Sequence, residues 1–299
     1  MTRQTDAETE AVRLRFYLPP EDLQPLVTTI YQLDFRSDDG TPIEDRLHPE
    51  WGNLRLFTGG TMEAAVGGGP LEPVPAAVVV GPTSKATRFR TQAARTWGVG
   101  LLPLGWARII DLPASEHADS FFDMARGPLA NRLAPLRESV ERSAGDPAAV
   151  RDSIVAALRK IVSGREPREE EIVALEHALV DPKIHTVADL AEKAGMSLRS
   201  LERLSNAVFG FPPQLLLRRQ RFLRSLALFM LDPSLKWIDA LDSHYHDQAH
   251  FVRDFKRFMG MSPSTYAKLP HPVLGAATRT RKAIAGEAMQ VLHRPPGEA

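Results

Sequence analysis

The residues best suited to chemistry by type and spacing lie in two stretches of the C-terminal third. In the first, Arg199, Ser200, Glu202 and Arg203 follow Ser197 and share the outward side of a helical period whose inner side carries Leu198, Leu201 and Leu204. In the second, Gln248, Val252, Arg253 and Lys256, with His250 beside them, surround the i,i+4 pair Phe251 and Phe255. These types suit the reading of nucleic acid. Arginine bonds guanine O6 and N7 bidentately, glutamine does the same for adenine, glutamate accepts from cytosine N4, and lysine holds a phosphate. Arg218, Arg219 and Arg257 are further candidates for phosphate contacts. The competing reading of each is a solvated helix surface, and Glu202 is equally suited to pairing with Arg203.

Other chemistry is poorly provided for. Cysteine is absent, which removes disulfides, thiolate–metal sites and cysteine nucleophiles. The histidines are scattered, with only His48 and His117 before residue 176. A metal-dependent enzyme of the cupin type needs several histidines and a carboxylate close together, so no catalytic residue, metal or cofactor is expected. His246 and His250 have i,i+4 spacing within the cluster His244, Tyr245, His246, Asp247 and His250. Gly67-Gly68-Gly69 lacks the Lys-Ser/Thr of a phosphate loop and reads as a hairpin turn.

The elements that must position the outward residues follow from caps and breakers. Thr186 N-caps a short helix with Val187, Leu190 and Ala194 on its apolar side. Gly195 permits a tight inter-helix turn, and Ser197 caps a second helix. That is a helix-turn-helix, with the outward residues where a recognition helix meets base edges. The pattern recurs over Trp237–Lys256, with Ala240 and, four residues on, His244. Both units end alike, at Phe209-Gly210-Phe211-Pro212-Pro213 and Met259-Gly260-Met261-Ser262-Pro263, and a long apolar helix, Leu215–Leu231, joins them.

The N-terminal part has a different texture. Short β-branched or aromatic runs at 12–18, 27–35, 53–58, 77–80, 87–91, 96–102 and 107–112 alternate with Gly, Pro and Asp-Gly turn signals. They predict an antiparallel β-barrel, cupin or jelly-roll-like, over residues 1–113. Trp51, Phe57, Phe89, Trp97 and Trp106 either line a ligand site inside it or fill its core. A helical hairpin over 114–163 follows, its second helix starting at Pro147 with Asp146 as cap, and serves coupling or dimerisation. Residues 164–171 read as a linker, 172–270 as an all-α domain with two helix-turn-helix units, and 271–299 as a weakly ordered tail. The fold class is therefore α+β.

The 299 residues are 43% hydrophobic and 25% charged, which fits two globular domains rather than a disordered or fibrous chain. Net charge is zero but unevenly spread: −5 over residues 1–175, +3 over 176–270 and +2 over 271–299. No apolar run is long enough for a transmembrane helix, and the charged N-terminus lacks the apolar core of a secretory signal, so the cytoplasm is the expected location.

Residues 172–269 resemble the DNA-binding domain of the AraC/XylS family of bacterial transcription regulators. The resemblance is carried by Ser197–Leu204, Phe209–Pro213, Arg219–Leu228 and above all Asp247–Pro263, which matches the family's C-terminal signature over its whole length. It implies binding to double-stranded DNA and an effect on RNA polymerase recruitment. It assigns the histidine cluster to a turn and a recognition helix rather than to a metal. The N-terminal part resembles, more weakly, the family's β-barrel effector domains, which implies a small-molecule effector and a homodimer. This chain departs from the family at His244, where a glycine is usual. Two other readings are a ligand-independent regulator whose barrel only dimerises, and a cupin-type enzyme fused to a DNA-binding module.

Overall fold

The computed structural model describes residues 4–294 apart from Glu10, Ser143, Ala144, Ser163, Arg165, Pro233, Lys236, Ile238, Ser243, His244 and His246, and apart from the side chain of Arg142. The expectation at the second turn, His244, thus lies outside the described residues.

The N-terminal strands are β1 (Gln4–Glu8), β2 (Val12–Tyr17), β3 (Val27–Phe35), β4 (Ile43–Leu47), β5 (Asn53–Gly60), β6 (Glu63–Val66), β7 (Glu72–Pro73), β8 (Ala77–Val80), β9 (Thr87–Thr91), β10 (Ala94–Leu101) and β11 (Phe121–Asp123). They form a seven-stranded sheet in the order β1-β2-β3-β10-β5-β8-β11 and a four-stranded sheet in the order β4-β9-β6-β7. All neighbours are antiparallel. The two sheets share no paired strand, so the antiparallel architecture holds but the expected closed barrel is an open pair of sheets. Pro73, which has no N–H to give, stands in the edge strand β7 of the smaller sheet.

The period of two assigns each face of the large sheet a different cover. Val12, Leu14 and Phe16 of β2, with Tyr31 and Phe35 of β3, face the small sheet and pack with Ile43, Ala64 and Phe89. Ile30, Leu54, Leu56, Trp97 and Val99 point the other way, into a core shared with the helices. The helical hairpin, α1 (Ala134–Arg142) and α2 (Pro147–Ile161), lies on that second face, and the Asp146 carboxylate accepts from Ala148 N at 2.9 Å as its cap. The apolar run 107–112, expected as a strand, is instead part of a helical turn through Trp106–Ile110 that ends at Asp111 with φ 58°. Pro103 starts that stretch, and the Trp106 indole N–H is satisfied by Leu112 O at 2.8 Å.

The C-terminal helices are α3 (Glu169–Val180), α4 (Val187–Lys193), α5 (Leu198–Leu204), α6 (Pro213–Leu231), α7 (Gln248–Met259) and α8 (Leu274–Ala285). The last differs from expectation. Of the stretch 271–299, the described residues 271–294 are packed: α8 lies on β1, β2 and β4, and Val273, Ala276 and Ile284 join the cluster between the sheets.

The helical region packs tightly on the sheets. Trp51 meets Phe209 edge-on at 5.6 Å, and Ala86 N donates to Phe258 O at 2.7 Å. Buried His48 places Nε2 2.8 Å from the Tyr266 hydroxyl, and burial pushes its imidazole down to about 3, so it is neutral. Arg219, read above as a phosphate contact, is fully buried: its guanidinium lies 4.0 Å over the Trp51 ring and donates to Thr83 O at 2.9 Å. Burial lowers its pKa to about 9, and an arginine so enclosed cannot reach DNA.

Glu176 of α3 makes this packing sensitive to pH. Its Oε1 accepts from Leu104 N at 2.9 Å, while burial pushes the carboxyl up to about 8 against the pull of that hydrogen bond. The folded state therefore holds a proton that the unfolded state, with an ordinary value near 4.5, releases. Stability is highest below that lower value and falls as pH rises towards about 8. Glu176→Gln keeps the acceptor and cannot ionise. Urea titrations are expected to show the variant close to the parent at pH 4 and more stable at pH 8 by on the order of 4 kcal/mol. Parallel pH dependence in the two proteins would refute the assignment.

Candidate nucleic-acid interface

The first unit forms as its caps dictate. Thr186 and Asp189 make a capping box at the start of α4, and Ser197 Oγ accepts from Ser200 N at 3.2 Å at the start of α5. Gly195 joins the two with φ 66°, a conformation that favours glycine. Leu201 and Leu204 bury, as expected, but Leu198 does not: it is 57% exposed, because the first position of α5 projects past α4. An exposed leucine at that place suits apolar contact with a thymine methyl group. Arg199, Glu202 and Arg203 are exposed on α5, and Ser200 is half-buried with its hydroxyl 3.4 Å from Arg168.

The second unit keeps its recognition helix. Asp247 caps α7 by accepting from His250 N at 2.6 Å, and Gly260 ends it with φ 72°. Gln248, Arg253 and Lys256 are exposed, and Val252 and His250 are half-buried. Burial, with the charge of nearby Arg221, pushes the His250 imidazole below its ordinary value. The expected partner helix before it is not seen: the described residues between Asp232 and Asp247 lie in turns and irregular backbone. Side chains hold this backbone: Asp232 Oδ1 accepts from Ser234 N at 3.1 Å, and Ser225 Oγ of α6 accepts from Asp242 N at 2.8 Å. Among the described residues the second unit shows its recognition helix, held on α6 by an aromatic core.

Asp254 holds α7 in place from its inner side. Fully buried, it takes Arg218 on Oδ1 and, on Oδ2, the Tyr245 hydroxyl at 3.0 Å and Arg221 at 3.5 Å. Burial, reinforced by the Asp254 charge, pushes the Tyr245 phenol up. Arg224 pairs likewise with Asp242. A groove of about 550 Å³ runs between the start of α4 and α7, lined by Arg218, Arg221, Arg224 and Arg253 together with His185 and His250. Arg221 and Arg224 escaped the sequence reading, although the spacing Arg218, Arg221, Arg224 along α6 repeats on one helical side. This groove is bounded by the start of α4, by α6 and by α7, and its arginines suit a phosphate backbone beside the second recognition helix.

The aromatic residues of the N-terminal part are placed apart. Trp51, Phe89 and Trp106 are buried in packed cores. Phe57 and Trp97 border a cavity of about 480 Å³ between the large sheet and the helical hairpin, with Gln32, Arg95, Arg137 and Val150 around it. A smaller cavity of about 110 Å³ lies where α8 meets β2, β3 and the end of β4. Among the described residues no group of three or more histidines and carboxylates could hold a metal ion, and no helix is long and apolar enough to cross a membrane.

Comparison with known proteins adds to this geometry. A helix-turn-helix domain family matches residues 190–269. The "Putative HTH-type transcriptional regulator YkgA" of Escherichia coli (strain K12) is 31% identical over 81 residues, which are 27% of this chain and 34% of that protein. The match therefore spans about a third of the length of that relative. Among solved structures, ToxT from Vibrio cholerae aligns with 80% of this chain and 97% of its own at 13% identity and a TM-score of 0.43. The AraC-like transcriptional activator CuxR aligns with 75% of this chain and 85% of its own at 16% identity and a TM-score of 0.32. The C-terminal domain of this chain belongs to the AraC-type helix-turn-helix family.

Proposed function

We propose that the protein is a sequence-specific, double-stranded-DNA-binding transcription regulator, acting through α5 and α7. The observation that carries the reading is the exposure of Arg199, Arg203, Gln248 and Arg253 on two recognition helices, with an arginine-lined groove beside the second. The protein binds as a homodimer and contacts RNA polymerase, and it is a binding protein rather than an enzyme. Its non-specific affinity is weak and salt-sensitive, since the charge over residues 176–270 is only +3.

Control by a small-molecule effector is the finer part of the proposal. Ligand pockets for drug-sized molecules run at about 300–1,000 Å³. The cavity beneath the helical hairpin, at about 480 Å³, is in that range, and the cavity beside α8, at about 110 Å³, is not. The effector therefore belongs between Trp97 and the hairpin, where its binding is coupled to the position of α1 and α2.

The test is binding to the DNA upstream of the gene, by mobility shift across a salt series. Arg203→Ala and Arg253→Ala are each expected to weaken specific binding by about 5- to 150-fold, equivalent to 1–3 kcal/mol. Their non-specific binding should fall much less. Unchanged promoter affinity in both variants would overturn the contact assignment.

A further inference from the structure

Beyond the helix-turn-helix domain the chain returns to the N-terminal sheets. The Asp45 carboxylate on β4 accepts from Val273 N at 3.0 Å and Leu274 N at 2.8 Å, fixing the entry to α8. Arg281 donates to Thr29 Oγ1 at 2.9 Å, and its guanidinium lies 5.5 Å over the Phe16 ring. Gln290 Nε2 donates to Gly52 O and Leu101 O, both at 3.1 Å. A Cβ on Gly100 would stand 2.9 Å from that nitrogen and 2.5 Å from Thr28 Oγ1, so a glycine there admits Gln290. On its other side the segment meets α6, where buried Gln220 donates to Val291 O at 2.8 Å. One stretch thus grips both the large sheet and the helix that connects the two recognition units.

The grip is conditional. α8 has 12 residues, carries Gly275, Thr278 and Thr280, and has no cap from its own N-cap residue Val273, so its first N–H groups rely on Asp45 of β4. A helix of that length and composition is marginal alone, so its order depends on docking. The hinge residue His271 sits at φ 44°, which non-glycine residues rarely adopt, with its Nε2 3.0 Å from Tyr266 O. In the docked state Arg199, Arg203, Gln248 and Arg253 all remain exposed. Docking therefore leaves the recognition surface open while removing orientational freedom that binding would otherwise have to remove.

We infer that residues 273–292 are an internal clamp: docked on the sheet and on α6 together, they hold the DNA-binding domain in one orientation, and that docked state binds DNA tightly. The last clause rests on the DNA-binding reading above; the docking itself does not.

The full-length chain has no cysteine, so Ala276→Cys supplies a single thiol at a site that is 6% exposed. Its modification by a water-soluble maleimide is expected to be slow, about tenfold faster when Gln290→Ala or Arg281→Ala is added, and slower again in saturating upstream DNA. In the chain without the thiol, each clamp variant is expected to weaken specific DNA binding about three- to tenfold, the scale of one or two lost hydrogen bonds. Should Ala276→Cys disturb packing, tryptic cleavage at Arg279 and Lys282 of the unaltered chain and the clamp variants gives the same readout. Rapid modification of the parent, or rates unmoved by both clamp variants, would overturn the docking. Accelerated modification with DNA affinity unchanged or raised would overturn the clamp. A parent that binds no specific DNA would instead count against the proposed function, while the labelling still decides the docking.

Discussion

Replacing Asp254 with alanine is expected to destabilise the C-terminal domain by about 2–4 kcal/mol and to abolish specific DNA binding. The carboxylate is fully buried on the inner side of α7 and joins Arg218, Arg221 and the Tyr245 hydroxyl. Removing one partner of a buried ion pair typically costs about 3–5 kcal/mol because the opposite charge is left uncompensated. Arg218 and Arg221 keep partial access to water, which places the estimate below the top of that range. The larger functional effect comes from position. The two guanidiniums lose the group that draws α7 onto α6, so the exposed face of α7 is no longer presented at a fixed distance from α5. Asp254→Asn, which keeps a hydrogen-bond acceptor for Tyr245 but loses the charge, is expected to fall between parent and alanine variant. Urea denaturation and mobility shift on the same samples check both halves. Stability within about 0.5 kcal/mol of the parent, the range of an ordinary surface substitution, would refute the role given to Asp254.

Phe222→Ala is expected to have the largest effect on stability, about 3–5 kcal/mol. Phe222 is fully buried at the centre of α6 and makes ring contacts with Phe251 at 6.3 Å, Phe255 at 5.4 Å and Phe258 at 4.9 Å. Trp237 closes the cluster over Phe255 at 5.1 Å and stacks on Phe229 at 3.7 Å. This aromatic cluster holds α7 against α6. Emptying its centre leaves a cavity that α7 cannot fill without moving. Denaturant unfolding followed by tryptophan fluorescence measures the loss, since Trp237 lies beside the substituted position. Phe222→Leu retains much of the volume and is expected to cost less. Equal costs for leucine and alanine would mean that the cluster is already loose.

Much of the fold was legible in local signals. Strands β3, β8 and β9 begin and end where β-branched runs and turn residues place them. Asp146, Thr186, Ser197 and Asp247 cap the helices that follow them. What escaped is what depends on distant partners. β1, with the sequence QTDAE, has no apolar alternation and exists because β2 pairs with it along its whole length. β4 carries Asp45, a poor strand signal, because that carboxylate is held by backbone groups more than 200 residues away. Arg219 and Asp254 belong to residue types that normally face water, and nothing in their neighbours reveals that Trp51 and the arginines of α6 enclose them. The outward residues of α5 and α7 were readable because helical period alone decides which side they occupy. The basic groove beside α7 was not, because it brings together α4, α6 and α7 from separate parts of the chain.

The placement of α8 also bears on how the protein is made. The apolar face formed by Val12, Leu14, Phe16 and Tyr31 receives part of its cover from Val273, Ala276 and Ile284. A chain emerging from the ribosome displays the first set of residues long before it can supply the second. Through most of synthesis the sheet carries an uncovered hydrophobic surface beside the edge strand β1, a combination open to aggregation or to chaperones. Folding of the N-terminal half is therefore completed only after residues 273–284 have been made. A premature stop codon just after the helix-turn-helix domain would leave every recognition residue intact and still deprive the sheet of its cover.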